Sequence, residues 1–397
     1  MKNKLNLLVC LATAFLATAF SVQAFAQNES PSLEPVINAT LDGAPIAYIY
    51  VSSTPASGAN NEVEAFAAST TGKLTPVPGS PFQENVTSMA VNGKYLFAAN
   101  SNGFDIDSYL MEPDGALRYV TSFNAANSED CNFLGPLFLD HTGSTLYDME
   151  FRGSGCSNNT YESFRLNKAN GHLEQLGNSG PNRWLHLPAS FIGNNQYAYS
   201  AVCNENMYWG IYGFKRESNG NFTQADISAT PPSAPKGYFY CPSQAAADPS
   251  NHVAIAMQPV NQQTFSSDKP PQLATFTAAA IGNLSTTSTA ENMPETSVGS
   301  VTDLNMAPSG KLLAVAGTGG LQVFHFNGAS PITAYTGLLT RDEIDQFFWD
   351  NQNDLYAISR TAGKLFVFTI TPSGYHQASG SPYSIGHPQN IIVQPKS

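Results

Sequence analysis

The chain is poor in charge, and poorest in positive charge. Its 397 residues include 18 Lys and Arg against 30 Asp and Glu, a formal net charge of −12. Binding to nucleic acid or anionic lipid calls for a concentrated basic face, and no stretch of this sequence supplies one, so both are excluded as partners. Beyond residue 26 no apolar run is long enough to span a bilayer as a helix, and no membrane span is expected there. Cysteine is sparse, and none of the five stands in a C-x-x-C pair or beside His at ligand spacing, so a cysteine metal centre has no support. Walker loops, Gly-x-Ser-x-Gly elbows and His-Glu-x-x-His are missing. "DIDSY" from Asp105 lacks the remaining ligands of a calcium loop. No long segment keeps a helical period, which leaves strands.

What is present begins with a targeting segment. Lys2 and Lys4 give a basic start, Leu5 to Phe20 is apolar, and Ala24-Phe25-Ala26 places small residues where a signal peptidase reads. Cleavage is expected after Ala26, which divides the chain into a signal peptide (1–26), a lead-in (27–45) and one folded domain (46–397). Loss of Lys2 and Lys4 takes the net charge to −14. The protein is therefore expected to be secreted or periplasmic, and monomeric. Cys10 leaves with the signal, and Cys131, Cys156, Cys203 and Cys241 remain, an even number in an oxidising compartment.

Seven units repeat along the domain. Each opens on a run suited to a buried strand: "AYIYVSS" at Ala47, "KYLFAAN" at Lys94, "STLYDME" at Ser144, "QYAYSAV" at Gln196, "HVAIAMQ" at His252, "KLLAVAG" at Lys311 and "DLYAISR" at Asp354. Turn signals precede most of them: Asn92-Gly93, Thr142-Gly143, Asn194-Asn195, Ser309-Gly310 and Gln352-Asn353. A second, alternating strand follows, as in "EVEAFAA" from Glu62 and "LFVFTIT" from Leu365. The spacing of roughly 45 to 60 residues suits four short strands plus turns, one propeller blade. The fold class is all-β, a single seven-bladed β-propeller of four-stranded blades; a pair of β-sandwiches has only strand content in its favour. "PQNIIVQP" from Pro388 reads as an innermost strand without a blade of its own, so it is expected to join the first blade and close the ring. The polar, proline-rich stretch Gln258 to Gln272 reads as a long surface loop.

The segment "YIYVS…VEAFAASTTGKLTPVPGSPF", matched near the other end by "FTITPSGYHQASGSPY", resembles the bacterial lactonase-type seven-bladed propellers, which include 6-phosphogluconolactonase-like proteins and the YVTN surface repeats. The resemblance covers nearly all of the domain. It assigns "YIYVS" to the core between blades, Gly72 and Gly374 to turns, and Pro81 and Pro382 to the crossing between blades. It also implies a ligand site around the central channel, where catalytic relatives hold a lactone or sugar-acid anion with basic side chains and His.

The inner strands are expected to begin near Thr87-Ser88, Pro136-Leu137, His186-Leu187, Ser243-Gln244, Thr302-Asp303, Asp345-Gln346 and Pro388-Gln389. These positions hold two aspartates, one histidine and several amides but no arginine; Arg183 and Arg341 lie a few residues away. A neutral carbohydrate, a lactone or a peptide suits such a mouth better than a sugar phosphate. His186 is the candidate general base, with Asp303 or Asp345 to orient it. Gln244, Gln389, His387 and Trp184 are the candidate ligand contacts, and Trp184, Tyr208 and Trp209 a candidate stacking rim. Asp303 and Asp345 with Asn305 would be the place for Ca²⁺, but no cofactor is expected. Antiparallel blades return Cys131 and Cys156 to one face, and likewise Cys203 and Cys241, so these two pairs are the expected disulfides. The leading functional expectation is an exported binding module for a neutral carbohydrate, peptide or surface partner at the channel mouth. The alternative is a lactonase-like hydrolase opening a sugar or acyl lactone.

Overall fold

In a computed structural model the described residues are 43–55, 60–125, 132–152, 160–178, 187–203 and 209–396, and all regular structure among them is β-strand. The strands form seven antiparallel sheets of four, with a short extra strand in the third and seventh (Asn132–Phe133 and Tyr383–Ser384). Blade 2 sets the pattern, running outward through Val86–Asn92, Tyr95–Asn100, Asp105–Met111 and Leu117–Asn124. The innermost strands of blades 3 to 7 are Leu137–Leu139, Ser190–Phe191, Tyr238–Ala247, Val301–Met306 and Gln346–Trp349. Taken in the order of blades 4, 5, 6, 7, 1, 2 and 3, each inner strand touches the next around a central channel, and the ring is a seven-bladed propeller.

Blade 1 takes its innermost strand from the other end of the chain. His387–Pro395 pairs antiparallel with Ala47–Thr54, in register from Ala47↔Pro395 to Thr54↔His387. The expected closure is observed, and it satisfies a sheet edge that would otherwise stand open.

The unit-opening runs are continuously apolar because both faces of a blade are covered. Ile49 and Val51 pack toward blade 7, whereas Tyr48 and Tyr50 pack toward blade 2. Among the described residues the core divides into seven clusters, each drawn from two adjacent blades. Each buried aliphatic or aromatic side chain there contributes about 1.5–3 kcal/mol, so the stability of the ring is spread over its blade interfaces.

The turn signals act as read. Gly93, Gly143, Asn195, Gly310 and Asn353 all have φ between 57° and 65°, the left-handed conformation of a tight hairpin between the inner and second strands. Gly115 serves a second purpose. Its carbonyl accepts the Tyr50 hydroxyl at 2.8 Å, and a Cβ there would stand 2.6 Å from the Tyr48 ring. Tyr147 to Gly220 and Tyr199 to Gly282 repeat this lock between successive blades. Pro81 and Pro382 occupy equivalent cis Ser-Pro bonds in the two "GSP-aromatic" segments.

Blade 5 departs from expectation. The strand His252–Asn261 extends into the supposed loop, pairing Asn261 with Tyr238, and Gln272 already opens the third strand. Only residues 262–271 connect them. Tyr240 and Val260 are buried in this extension, and their Gln, Asn and Pro neighbours mask the strand signal in the sequence.

Candidate functional site at the channel mouth

Where the inner strands begin, the channel opens into a cavity of about 570 Å³, a size typical of small-molecule sites. All seven blades reach it, through residues such as Ser88, Pro136, Leu187, Gln244, Asp303, Gln346 and Asn390. The inner strands of blades 2, 5 and 6 each carry a β-bulge just there, between Val86 and Ser88, Pro242 and Gln244, and Val301 and Asp303. In blade 1 the irregularity falls at Gln389, which the register skips. Such bulges re-aim side chains, and here the next residue turns toward the neighbouring blade.

The result is a belt of inter-blade hydrogen bonds. Ser88 Oγ accepts from Leu137 N–H at 2.9 Å, and Ser190 Oγ from Ala247 N–H at 2.8 Å. Gln244 Nε2 donates to Thr302 O at 2.9 Å, and Asp303 Oδ2 accepts from Phe347 N–H at 3.0 Å. Gln346 Oε1 accepts from Ile391 N–H, and Asn390 Oδ1 from Met89 N–H, both at 2.9 Å. Blade 3 presents Pro136 instead of a polar side chain at this level, facing Met149 across the hairpin as Ser88 faces Ala99 in blade 2. The polar residues of the mouth therefore hold the ring together, and their sequence positions alone do not mark them as ligands.

Two carboxylates stand out from the belt. Asp303 accepts from the N–H groups of Leu304 and Phe347 and from Asn305 Nδ2. Burial nevertheless pushes its pKa up to about 7, against the lowering effect of those donors. Asp345 Oδ2 accepts the backbone N–H of Arg360 at 2.7 Å. Arg360 follows the second strand of blade 7, Asp354–Ser359, in the hairpin that returns over the mouth, and its side chain lines the cavity. The guanidinium is about half exposed and makes only long contacts, at 3.3 Å to Pro388 O, 3.4 Å to Gln389 O and 4.0 Å to Asp345 Oδ1.

Arg360 corrects the expectation of a channel without arginine. It enters from the end of a second strand, so the residues at the inner-strand starts do not announce it. Arg341 is exposed and does not line the cavity; Arg183 lies outside the described residues. Gln244, Gln389, Asp303 and Asp345 all reach the mouth as expected. Gln389 Nε2 donates to His387 O, and His387 itself is exposed at the head of the closing strand and is not among the lining residues. Asn305 directs its Nδ2 at Asp303, a hydrogen-bonded arrangement in which the amide offers a donor where Ca²⁺ would need an oxygen. His186, Trp184 and Tyr208 lie outside the described residues, as does the side chain of Trp209.

Cys203 ends the second strand of blade 4, and Cys241 lies in the inner strand of blade 5. They are joined in the expected disulfide with Cα atoms 5.2 Å apart, on the face that carries the mouth. The other expected pair, Cys131 and Cys156, lies outside the described residues.

On the opposite face Asp248, Ser250 and His252 meet. Ser250 Oγ and Asp248 Oδ2 both approach His252 Nδ1, at 3.1 and 2.9 Å. A nucleophilic triad needs Ser and Asp on different ring nitrogens, so this is a turn and not a catalytic site. Asp248 also accepts the N–H groups of residues 250 and 252, as Asp350 does from Gln352 and Asp354. "WD" at Trp349-Asp350 thus closes the turn between the inner and second strands of blade 7. His141 is likewise a turn residue, and burial lowers its pKa.

Among the described residues no helix is long and apolar enough to cross a membrane. No protein-family model matches the sequence, and no curated protein matches it. Its fold is similar to that of a periplasmic gluconolactonase of Pseudomonas aeruginosa, with a TM-score of 0.61 and 12% identity over 88% of this chain and 99% of the other. A candidate 6-phosphogluconolactonase of Bacteroides fragilis is similar at a TM-score of 0.58 and 15% identity, over 87% and 97% of the two chains. So is Sqt1 of Chaetomium thermophilum, solved bound to the N-terminus of ribosomal protein L10, at a TM-score of 0.52 and 12% identity over 86% and 89%. At these identities the likeness is one of fold, and that fold is the seven-bladed propeller expected from the lactonase-type resemblance.

Proposed function

We propose that this protein is an exported propeller that binds a small molecule bearing one carboxylate or lactone group at the channel mouth. The observation that carries the reading is Arg360. It is a half-exposed guanidinium lining a ligand-sized cavity, without a close side-chain partner. A carboxylate or a polarised lactone carbonyl would complete its hydrogen bonding, and a bidentate pair would add geometric selectivity. Arg360 moves the expected ligand away from the neutral sugar to which the inner-strand residues alone pointed. Two carboxylates nearby disfavour a ligand with several negative charges such as a sugar phosphate. Export rests on residues 1–26, and the Cys203–Cys241 bridge is consistent with an oxidising compartment.

Lactone hydrolysis is the second reading. A carboxylate with pKa near 7 is suited to take a proton from water, and Arg360 would stabilise the oxyanion that forms at the carbonyl. Asp303 is the base in this scheme, in place of or together with His186. Two proteins of similar fold, a gluconolactonase and a candidate 6-phosphogluconolactonase, support it at the level of fold. The test is calorimetric titration of the purified protein with short-chain carboxylates and sugar acids, alongside a lactone-hydrolysis screen. Arg360→Gln should weaken binding by at least about tenfold. Binding unaffected by that change would overturn the proposal, and turnover lost in Asp303→Asn with binding intact would establish the second reading.

A further inference from the structure

The walls of the mouth are unlike. Blades 5, 6, 7 and 1 present Gln244, Asp303, Asp345, Arg360, Gln389 and Asn390, whereas blades 3 and 4 present Leu134, Pro136, Phe138, Leu187 and Pro188, with Ser190 their one polar side chain among the described residues and its Oγ engaged by Ala247 N–H. This asymmetry follows from the belt. Pro136 stands where blades 2, 7 and 1 place a hydrogen-bonding side chain, and the inner strands of blades 3 and 4 are only three and two residues long.

The apolar wall is also held in place. Phe138 stacks on Tyr147 with centroids 5.2 Å apart and meets Tyr161 edge-on at 5.4 Å, while Tyr161 Oη donates to Leu187 O at 2.5 Å. Leu134, Pro136, Phe138 and Leu187 are only partly buried, so apolar surface remains accessible in the cavity. A fully hydroxylated sugar acid would set its hydroxyl groups against this surface without hydrogen-bond partners, at a cost in desolvation.

We infer that the ligand is amphiphilic, with a carboxylate or lactone head at Arg360 and a short acyl or alkyl chain against the wall of Leu134, Pro136, Phe138 and Leu187. This rests on the proposed binding at Arg360 and names the ligand class of that same site. The chain supplies affinity by apolar burial, and the head supplies orientation.

The test compares sodium butyrate, hexanoate, octanoate and gluconate by titration into the purified protein. Affinity should rise by about threefold or more per buried methylene from butyrate to octanoate, with gluconate the weakest. Leu187→Asn and Leu134→Asn, each checked for an unchanged melting temperature, should flatten that series, and the use of both guards against one that fails to fold. If butyrate binds through Arg360 but chain length has no effect, or gluconate binds more tightly than octanoate, the inference is overturned while the anion site stands. If no carboxylate binds, or binding ignores Arg360→Gln, the proposed function fails and takes this inference with it.

Discussion

The backbone N–H of Arg360 donates to Asp345 Oδ2 at 2.7 Å, while the guanidinium Nη1 stands 4.0 Å from Oδ1 of the same carboxylate. Asp345 therefore fixes the hairpin through the main chain and leaves the charged head of Arg360 weakly engaged. Such a pair separates structure from function, because the side chain of Arg360 can be changed without removing the bond that positions its loop.

Arg360→Gln should leave thermal stability within about 0.5 kcal/mol of wild type, as for other partly exposed substitutions without a strong partner. Carboxylate binding should weaken by at least about tenfold, the loss of one hydrogen-bonded charge. Parallel melting curves and titrations would check both. Asp345→Ala should instead lower the melting temperature as well as weaken binding, because the loop loses its anchor.

Asp303 makes the ring sensitive to pH. Its folded pKa of about 7 lies above the ordinary 3.8, so the folded state holds the proton more tightly than the unfolded chain does. This contribution is complete below about pH 4 and is lost as pH rises through about 7. Measured as the difference in unfolding free energy between wild type and Asp303→Asn, it should fall by up to about 4 kcal/mol over that range, less where channel water screens the carboxylate. A difference that is flat from pH 4 to 8 would count against it. If the protein hydrolyses lactones, the same group should set the acidic limb of the rate profile, and that limb should vanish in Asp303→Asn.

What was legible in the sequence was local. A hairpin between inner and second strands is written in adjacent residues, Asn92-Gly93 or Ser309-Gly310, and needs no partner elsewhere in the chain. The closing strand was legible because Ile391, Ile392 and Val393 form an apolar run left over after every blade had been counted. The mouth was legible in position but not in role. Asp303 points at blade 7 because a bulge adds one residue to its strand, and no pattern in "SVTDLNM" announces that residue. Arg360 lies fifteen residues beyond Asp345 at the inner-strand start of its own blade, and only the antiparallel return of the second strand brings it over the channel. Tertiary geometry decided both.

Deleting residues 387–397 should unfold the ring as a whole. The strand Ala47–Thr54 is buried along nearly its full length, and removal of its partner exposes that edge together with the pockets of Ile391, Ile392 and Val393. At about 1.5–3 kcal/mol per side chain, the loss matches the whole stability of a typical domain. Circular dichroism should show no cooperative transition, and a truncated chain that still melts in one step near the wild-type temperature would refute velcro closure as a global constraint.

The Cys203–Cys241 bridge closes a loop of sequence separation 38 between blades 4 and 5. By the chain-entropy argument its loss costs up to about 4 kcal/mol. Cys203→Ser with Cys241→Ser should lower the melting temperature by several degrees, and reducing agent should then have no further effect through this pair. Hydrogen exchange should rise first in Tyr238–Cys241 and its partner residues, where the tether holds the extended hairpin beside the mouth.

Asp354 gives the last and most direct test of the packing. It is 2% exposed, with Oδ1 unpaired, and Asp350 lies close enough to repel its charge. Burial, more than that repulsion, pushes its pKa up to about 6, while the Thr369 hydroxyl pulls the other way. An ionised Asp354 is therefore a cost that the fold carries at neutral pH, and the folded state is more stable with the proton bound. Asp354→Asn keeps the shape, removes the charge and offers an N–H₂ donor to the Asp350 carboxylate. The variant should be more stable than wild type by about 1–2 kcal/mol at pH 8, with the advantage fading as pH falls below about 4, where wild-type Asp354 is neutral in both states. Denaturant titrations at the two pH values measure the difference. A stabilisation equal at both would show that shape or hydrogen bonding, and not buried charge, governs this position.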